Sequence, residues 1–137
     1  MVMDIELAES EIRSLHVVIE EWLGGGCEKS PASFVRFSDA LAEDFVIVSP
    51  SGQRSTKQTL CPGFEAAHGA EGQSFEIEIK NIDLRAATGE HLIATYEEHQ
   101  QGRGGATARF STVVFRPSSL PGRTLEWFHL HETWLTV

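Results

Sequence analysis

The sequence has no apolar run near the roughly 18 residues needed to cross a bilayer. Its start, MVMDIELAES, also lacks the basic end and the apolar core of a secretory signal. Both absences favour a soluble, cytoplasmic protein. Cysteine is scarce as well: Cys27 and Cys61 do not form a CxxC pair, and two lone cysteines in a chain without an export signal are typical of reduced packing residues.

Basic residues are few relative to acidic ones. The chain has 11 Lys and Arg against 20 Asp and Glu, which gives a net charge of −9. Such a charge repels phosphate backbones and anionic membranes, so we expect neither nucleic acid nor a membrane as a partner. A chain of 137 residues can bury one hydrophobic core, and we expect a single domain over residues 1–137.

The first helix is predicted from about Asp4 to Leu23, where apolar residues recur every three or four positions. Asp4 is the expected N-cap, and three consecutive glycines end the helix. His16 lies inside the apolar stripe. Two interpretations remain open for it: a buried histidine that is hydrogen-bonded to a neighbour, or an acid, base or ligand contact in a pocket.

Two shorter helices and one strand follow. Ser30, followed by a proline, predicts the start of the second helix, and residues 45–48 form a compact apolar strand. Ser55 is the expected cap of a third helix that bends at Pro62 and continues to about His68.

From residue 75 onward the pattern changes to strands. Apolar and charged residues alternate until the phase slips at Lys80 and Asn81, which predicts a β-bulge that bends the strand. Turns near residues 88–90 and 102–105 and a loop at 117–123 separate the later strands. The predicted fold is therefore α+β: three N-terminal helices packed on a strongly bent, mixed or antiparallel sheet, which forms a cone with an internal pocket.

The last strand is predicted from Thr124 to Val137, a stretch rich in aromatic and β-branched residues with no Gly or Pro. Its two-residue period divides the side chains between two faces. The more apolar face, expected to face the core, carries Phe128, Leu130, Glu132 and Trp134; the outer face carries Trp127, His129, His131 and Thr133. A carboxyl group on a core-facing side must be paired with a cation, hydrated or protonated, which makes Glu132 a candidate functional residue.

Three segments carry a resemblance to a known group of proteins. They are LAEDFVIVSPSG at 41–52, ARFSTVVFRP at 108–117 and EWFHLHETW at 126–134. Together with the order of elements, they resemble the nuclear transport factor 2-like superfamily, particularly its SnoaL-like members of unassigned function. The resemblance implies a cystatin-like α+β cone and a homodimer formed through the sheet. It does not assign an activity, because this fold hosts isomerases, dehydratases, cyclases and non-enzymatic modules.

Two subgroups of that superfamily test the resemblance at single positions. The base of ketosteroid isomerases would fall at Ser49, whose hydroxyl cannot take a proton from carbon without a partner, so this reaction is rejected. Their oxyanion-binding tyrosine would fall near Val18 or Ile19 and their protonated aspartate near Ser111 or Thr112, so both are also missing. In the kinase II association domain, a pocket arginine follows the closing His-x-His; here the position is Glu132, which implies a ligand of different charge.

The strand that begins at His91 offers two alternative sets of pocket residues. One face carries Ile93, Thr95, Glu97 and His99, and the other carries Leu92, Ala94, Tyr96 and Glu98. The resemblance favours the first face inward, whereas hydrophobicity slightly favours the second. We select Glu97 and His99, which with Glu132 and His16 make up the predicted catalytic set. Two carboxylates and histidines in one cavity raise a carboxyl pKa by repulsion and desolvation and suit proton transfer.

The His129-x-His131 pair could hold a metal only if a neighbouring strand supplied a third ligand. Its predicted place on the outer face favours a partner surface instead, so we expect neither a metal nor a cofactor. The leading hypothesis is a homodimer whose cavity binds a small, mainly apolar organic molecule, with lyase, isomerase or cyclase activity. The alternative is a non-catalytic dimerisation or ligand-sensing module that uses the face of Trp127 and His129.

Overall fold

A computed structural model describes residues 4–136 of the chain; Val137, the end of the predicted last strand, lies outside the described residues. The fold has three helices packed on a six-stranded mixed sheet, an α+β arrangement that matches the cystatin-like cone, and the sheet is not closed. The elements in chain order are α1 (Ile5–Gly24), α2 (Pro31–Ser38), β1 (Leu41–Val48), β2 (Arg54–Thr56), α3 (Lys57–Ala66), β3 (Glu76–Ala87), β4 (Leu92–Gly102), β5 (Gly105–Pro117) and β6 (Leu125–Trp134).

The predicted first helix is confirmed at both ends. The Asp4 side chain accepts a hydrogen bond from the Leu7 amide at 3.1 Å, which caps the amino end of α1. At the other end, Gly25 adopts a left-handed conformation with φ 75°, which costs glycine little and other residues more. The helix buries one stripe against the sheet, formed by Ala8, Ile12, Leu15, His16 and Trp22.

The third helix begins one residue later than predicted. Thr56, rather than Ser55, is the N-cap, because its hydroxyl accepts from the Thr59 amide while the Thr59 hydroxyl accepts from the Thr56 amide. The helix ends at Ala66. Among residues 4–136, none of the three helices has the length and apolar character that crossing a bilayer requires.

The sheet has the strand order β2-β1-β6-β5-β4-β3. The pairs are antiparallel except for β1 and β6, which run in parallel although some 80 residues separate them along the chain. This pairing places the C-terminal strand in the middle of the sheet, next to the first strand. The helices cover one face of the sheet, and the core lies between them.

Bulges in two strands decide which side chains point to the core. In β3 the pairing register shifts between Lys80 and Asp83, and Asn81 has φ 56°, which confirms the predicted bulge. The bulge in β6 was not predicted. Val114 pairs with His129 but Phe115 pairs with Trp127, so Phe128 is an extra residue.

The bulge in β6 reverses two predicted orientations. Trp127 is 1% exposed and packs edge-on against Phe115, so its predicted outer position is wrong. Phe128, predicted in the core, instead packs under the Arg116 guanidinium, 4.3 Å from its ring centroid. After the bulge the alternation proceeds as predicted, with Leu130 and Glu132 buried. The last residue of the strand, Trp134, was expected in the core but is 52% exposed.

Candidate functional site

A cavity of about 200 Å³ lies between the helices and the covered face of the sheet. Its wall is mostly apolar and is built by Leu15 and Ile19 of α1, Leu60 and Phe64 of α3, and residues of the sheet that include Phe45, Ile47, Trp127 and Leu130. The polar members of the wall are His16, Glu98, Gln100, Arg109 and Glu132. The cavity is therefore an apolar space with one group of charged side chains.

Strand pairing explains why these charged groups meet. Tyr96, Ser111 and Glu132 occupy directly paired positions on β4, β5 and β6. Two residues away on β4 and β5, Glu98 pairs with Arg109. Because side chains alternate between the two faces of a strand, this pair points toward the helices as Tyr96 and Ser111 do. Three neighbouring strands thus supply one polar cluster.

His16 and Glu98 form a buried pair at the centre of this cluster. His16 Nε2 lies 3.0 Å from Glu98 Oε1, and the two side chains are only 5% and 6% exposed. The other ring nitrogen, Nδ1, lies 2.7 Å from the Ile12 carbonyl, which can only accept, so Nδ1 carries a proton. When Glu98 is ionised, Nε2 must carry one too, and His16 is then an imidazolium with both N–H groups in use.

The pKa shifts of the pair favour this charged form. Burial lowers the pKa of His16, but attraction and a hydrogen bond to Glu98 raise it above its ordinary value overall. For Glu98, burial raises the pKa, but His16 and more weakly Arg109 bring it down to about 2. Gln100 Nε2 also donates to Glu98 Oε2 at 2.6 Å, which stabilises the carboxylate. His16 is therefore a fixed counter-ion rather than a free base.

Glu132 is the carboxyl group of this cluster whose pKa is raised. It is 6% exposed, and its pKa is raised, chiefly by burial and also by repulsion from Glu98, although Arg109 opposes the shift. Arg109 Nη1 donates to Glu132 Oε1 at 3.3 Å, and the Ser111 hydroxyl donates to Oε2 at 3.5 Å. Both contacts are long, so the carboxyl group is loosely held.

Two polar atoms beside Glu132 lack a hydrogen-bond partner. Among the described residues, Tyr96 Oη, which lies near Ser111, and Arg109 Nε are buried without a hydrogen bond of acceptable geometry. Burial of a polar group without a partner costs about 1–3 kcal/mol. Arg109 therefore has an unused donor beside Glu132.

The structure brings two of the four predicted catalytic residues into the cavity wall, Glu132 and His16. It does not bring Glu97 and His99 there. These two lie on the opposite face of β4, paired with each other at 3.0 Å and with side chains 25% and 29% exposed, so their predicted inward position is wrong. Hydrophobicity was the correct signal in the sequence, because the face with Tyr96 and Glu98 is the more apolar one. In the structure this face is buried, and burial alternates along β4. Arg109 was missed because no partner for it was evident from sequence.

The His-x-His pair lies on the outer face of the sheet. The rings of His129 and His131 have centroids 6.4 Å apart, and burial and repulsion from His131 lower the pKa of His129. Within residues 4–136, no group of three His, Cys, Asp or Glu side chains is placed to hold a metal ion. Trp127, expected beside these rings, is instead part of the cavity wall.

Residues 8–136 match the model of one protein family, the C-terminal region of sucrose-6-phosphate phosphohydrolase. The chain belongs to this family. No curated protein matches it. Among solved structures, a nuclear transport factor 2-like protein of unknown function from Pseudomonas aeruginosa is 30% identical, with a TM-score of 0.86 over 95% of this chain and 99% of that one. This confirms the predicted superfamily.

Two more distant structures resemble this member of the sucrose-6-phosphate phosphohydrolase C-terminal family in fold alone. A ketosteroid isomerase-like protein from Erwinia carotovora has a TM-score of 0.67 at 10% identity and covers 100% of both chains. The CaMKII hub of S. rosetta has a TM-score of 0.76 at 10% identity and covers 98% of this chain and 99% of that one. Ser49, where a ketosteroid isomerase would have its base, does not line the cavity; its hydroxyl bonds to Ser51 in the turn after β1.

Proposed function

We propose that the cavity binds a small, mainly apolar, uncharged organic molecule and that Glu132 exchanges a proton with it. The observation that carries this proposal is a loosely held, buried carboxyl with a raised pKa at one end of an otherwise apolar cavity. A volume of about 200 Å³ lies below the roughly 300–1,000 Å³ of pockets for drug-sized ligands, so the ligand is small.

The charges around the cavity favour an uncharged ligand. The charges of His16 and Glu98 cancel each other, and Arg109 forms an ion pair with Glu132 when Glu132 is ionised. An anion would meet two carboxyl groups, and a cation would meet the imidazolium and the guanidinium. A neutral molecule with an acceptor oxygen, such as a ketone, needs no counter-charge from the cavity and receives hydrogen bonds from Arg109 and, when Glu132 is protonated, from its carboxyl O–H.

Proton exchange at Glu132 supports isomerase or lyase chemistry. A general acid or base works best when its pKa lies near the operating pH, and burial moves the pKa of Glu132 in that direction. His16 has both ring nitrogens occupied, so we assign it a positioning role through Glu98 and not the acid–base role expected from sequence. The phosphohydrolase named in the family description does not suggest phosphate as a ligand of this cavity. Among the residues that line it, Arg109 is the one cation besides His16, which is paired with Glu98.

Three compounds with the same six-membered ring test the ligand class: cyclohexanone, cyclohexanecarboxylate and cyclohexylamine. In a thermal-shift titration we expect the ketone to stabilise the protein most. Its affinity is expected to fall about tenfold as the pH rises and Glu132 ionises, because a carboxylate no longer donates to the ketone oxygen. Glu132→Gln removes this pH dependence, since an amide donates at every pH.

Glu97→Gln is the matched control, because it makes the same substitution on the outer face of the sheet. It is expected to keep the pH dependence of the wild type. Tighter binding of the acid or the amine, or an unchanged pH profile in Glu132→Gln, would contradict the proposal.

The outer face of the sheet favours a second function, homodimerisation in a non-catalytic assembly or sensing module. This face carries His129 and His131 and, on β5, Phe110, whose side chain is 37% exposed. The fold is shared with the S. rosetta hub. Phe110→Glu is expected to convert a dimer to a monomer in sedimentation velocity, because a charge opposes burial of an apolar interface. Val17→Glu, at a 52% exposed position on α1, is the control and is expected to remain dimeric.

A further inference from the structure

A second cavity, of about 300 Å³, lies outside the proposed ligand site between α1, α2 and the segment that precedes β6. Two arginines line it, Arg36 from α2 and Arg123 from the loop before β6, together with the Ser14 hydroxyl and Glu11. We propose that this cavity binds a small oxyanion, a carboxylate or a phosphate, held between Arg36 and Arg123.

Arg123 is positioned firmly but is only partly used. Its Nη2 donates to Glu11 Oε2 at 2.9 Å, and the side chain is 25% exposed. Its Nε is buried without a hydrogen-bond partner among the described residues. A guanidinium has five N–H donors, so the Nη groups of Arg123 keep donors for a further acceptor, whereas the buried Nε is out of reach.

Arg36 is free to turn toward the same space. It contacts Glu21 through a single 3.3 Å bond, and the two side chains are 49% and 38% exposed. Surface pairs of this kind contribute little to stability and are readily broken. An anion in the cavity therefore competes with Glu21 for Arg36 at small cost.

The local charge favours an anion although the chain as a whole carries −9. The residues that line the cavity include the two arginines and one carboxyl group, Glu11, while Glu21, which pairs with Arg36, is not among them. The Glu11 carboxyl group is already engaged, because its Oε2 accepts from the Arg123 guanidinium at 2.9 Å and from the Trp127 indole at 3.0 Å.

The donor set identifies the class of ligand. Guanidinium groups bind carboxylate and phosphate oxygens through paired N–H donors, and a serine hydroxyl adds one more. Inorganic phosphate and acetate are therefore the probes. Titration of each at constant ionic strength, with NaCl as the balancing salt, separates specific binding from charge screening.

We expect saturable stabilisation of the wild type by phosphate or acetate in a thermal-shift titration. Arg36→Gln is expected to weaken binding at least about tenfold, which corresponds to the loss of one charge-assisted hydrogen bond. Glu21→Gln is expected to tighten binding, because the competitor for Arg36 is gone. The relative affinities of phosphate and acetate then show which kind of oxyanion the site prefers.

Arg13→Gln is the matched control. Arg13 lies on α1, is 52% exposed and pairs with Glu9, so its substitution removes the same charge from an equally exposed pair that does not line this cavity. Equal weakening by Arg36→Gln and Arg13→Gln would show that only overall charge matters and would overturn the proposal. An absence of saturable binding of both probes at constant ionic strength would overturn it as well.

Discussion

His16→Leu is expected to lower the free energy of unfolding by about 3 kcal/mol, because it leaves the Glu98 carboxylate in the interior without its counter-ion. Breaking a buried pair costs about 3–5 kcal/mol, and the lower end applies here because Gln100 still donates to Glu98. The double variant His16→Leu/Glu98→Leu should recover most of the loss, since apolar residues of similar size replace both charges. Urea denaturation of the four proteins in this cycle measures the coupling.

The outer face of the sheet supplies a matched control for the buried pair. His99 and Glu97 have the same 3.0 Å separation but are several times more exposed, so solvent screens them. His99→Leu should leave the denaturation midpoint unchanged. Equal losses from His16→Leu and His99→Leu would contradict the importance of burial.

The contribution of the buried pair depends on pH in a defined window. The folded pKa of Glu98, about 2, lies below its ordinary value of 4.5, so its contribution is complete above pH 4.5 and is lost as the pH falls toward 2. The folded pKa of His16 is raised, so its contribution is complete below its ordinary 6.5 and is lost at higher pH. The stability difference between the wild type and His16→Leu/Glu98→Leu should therefore favour the wild type most between pH 4.5 and 6.5 and should decline on either side of this window.

Trp127→Ala is expected to cost about 3–5 kcal/mol of unfolding free energy, as large-to-small changes of a buried aromatic do. Trp127 is 1% exposed, packs against Phe115 and donates its indole N–H to Glu11. The substitution thus opens a void and removes a hydrogen-bond donor from a partly buried carboxyl group. Thermal and urea denaturation measure the loss.

Trp134→Ala is the control for this substitution. Trp134 ends the same strand but is 52% exposed, with the Arg109 guanidinium 4.9 Å from its ring centroid. We expect a loss below about 1 kcal/mol, because a cation–π contact at an exposed site is worth about that much. A loss from Trp127→Ala as small as that from Trp134→Ala would mean that Trp127 does not pack in the core.

Local sequence patterns were sufficient to predict the three helices, five of the six strands and one bulge, but the short strand β2 (Arg54–Thr56) was missed. Apolar periodicity located α1, and a break in alternation located the bulge at Asn81, because both signals lie within a few neighbouring residues. The bulge in β6 gave no such signal. Trp127, Phe128 and Leu130 are all apolar, so an extra residue among them leaves the pattern of hydrophobicity unchanged.

The polar cluster was harder to predict because it depends on which residues lie opposite each other. Glu132 was identified from its own strand, since a lone carboxyl among apolar residues is visible there. Its neighbours Arg109 and Ser111 belong to another strand, and their approach depends on a register that one sequence does not reveal. For β4, the inward face was predicted from the resemblance and not from hydrophobicity. Glu97 and His99 were therefore predicted as cavity residues in place of Glu98.

The central place of β6 has a consequence for how the protein is made. β6 is the last of the six strands in chain order, so during synthesis β1 and β5 each present an uncovered edge until β6 leaves the ribosome. Open edges of this kind invite pairing with other chains. The nascent protein is thus open to such pairing until β6 emerges, and Glu132 arrives with the segment that ends that exposure.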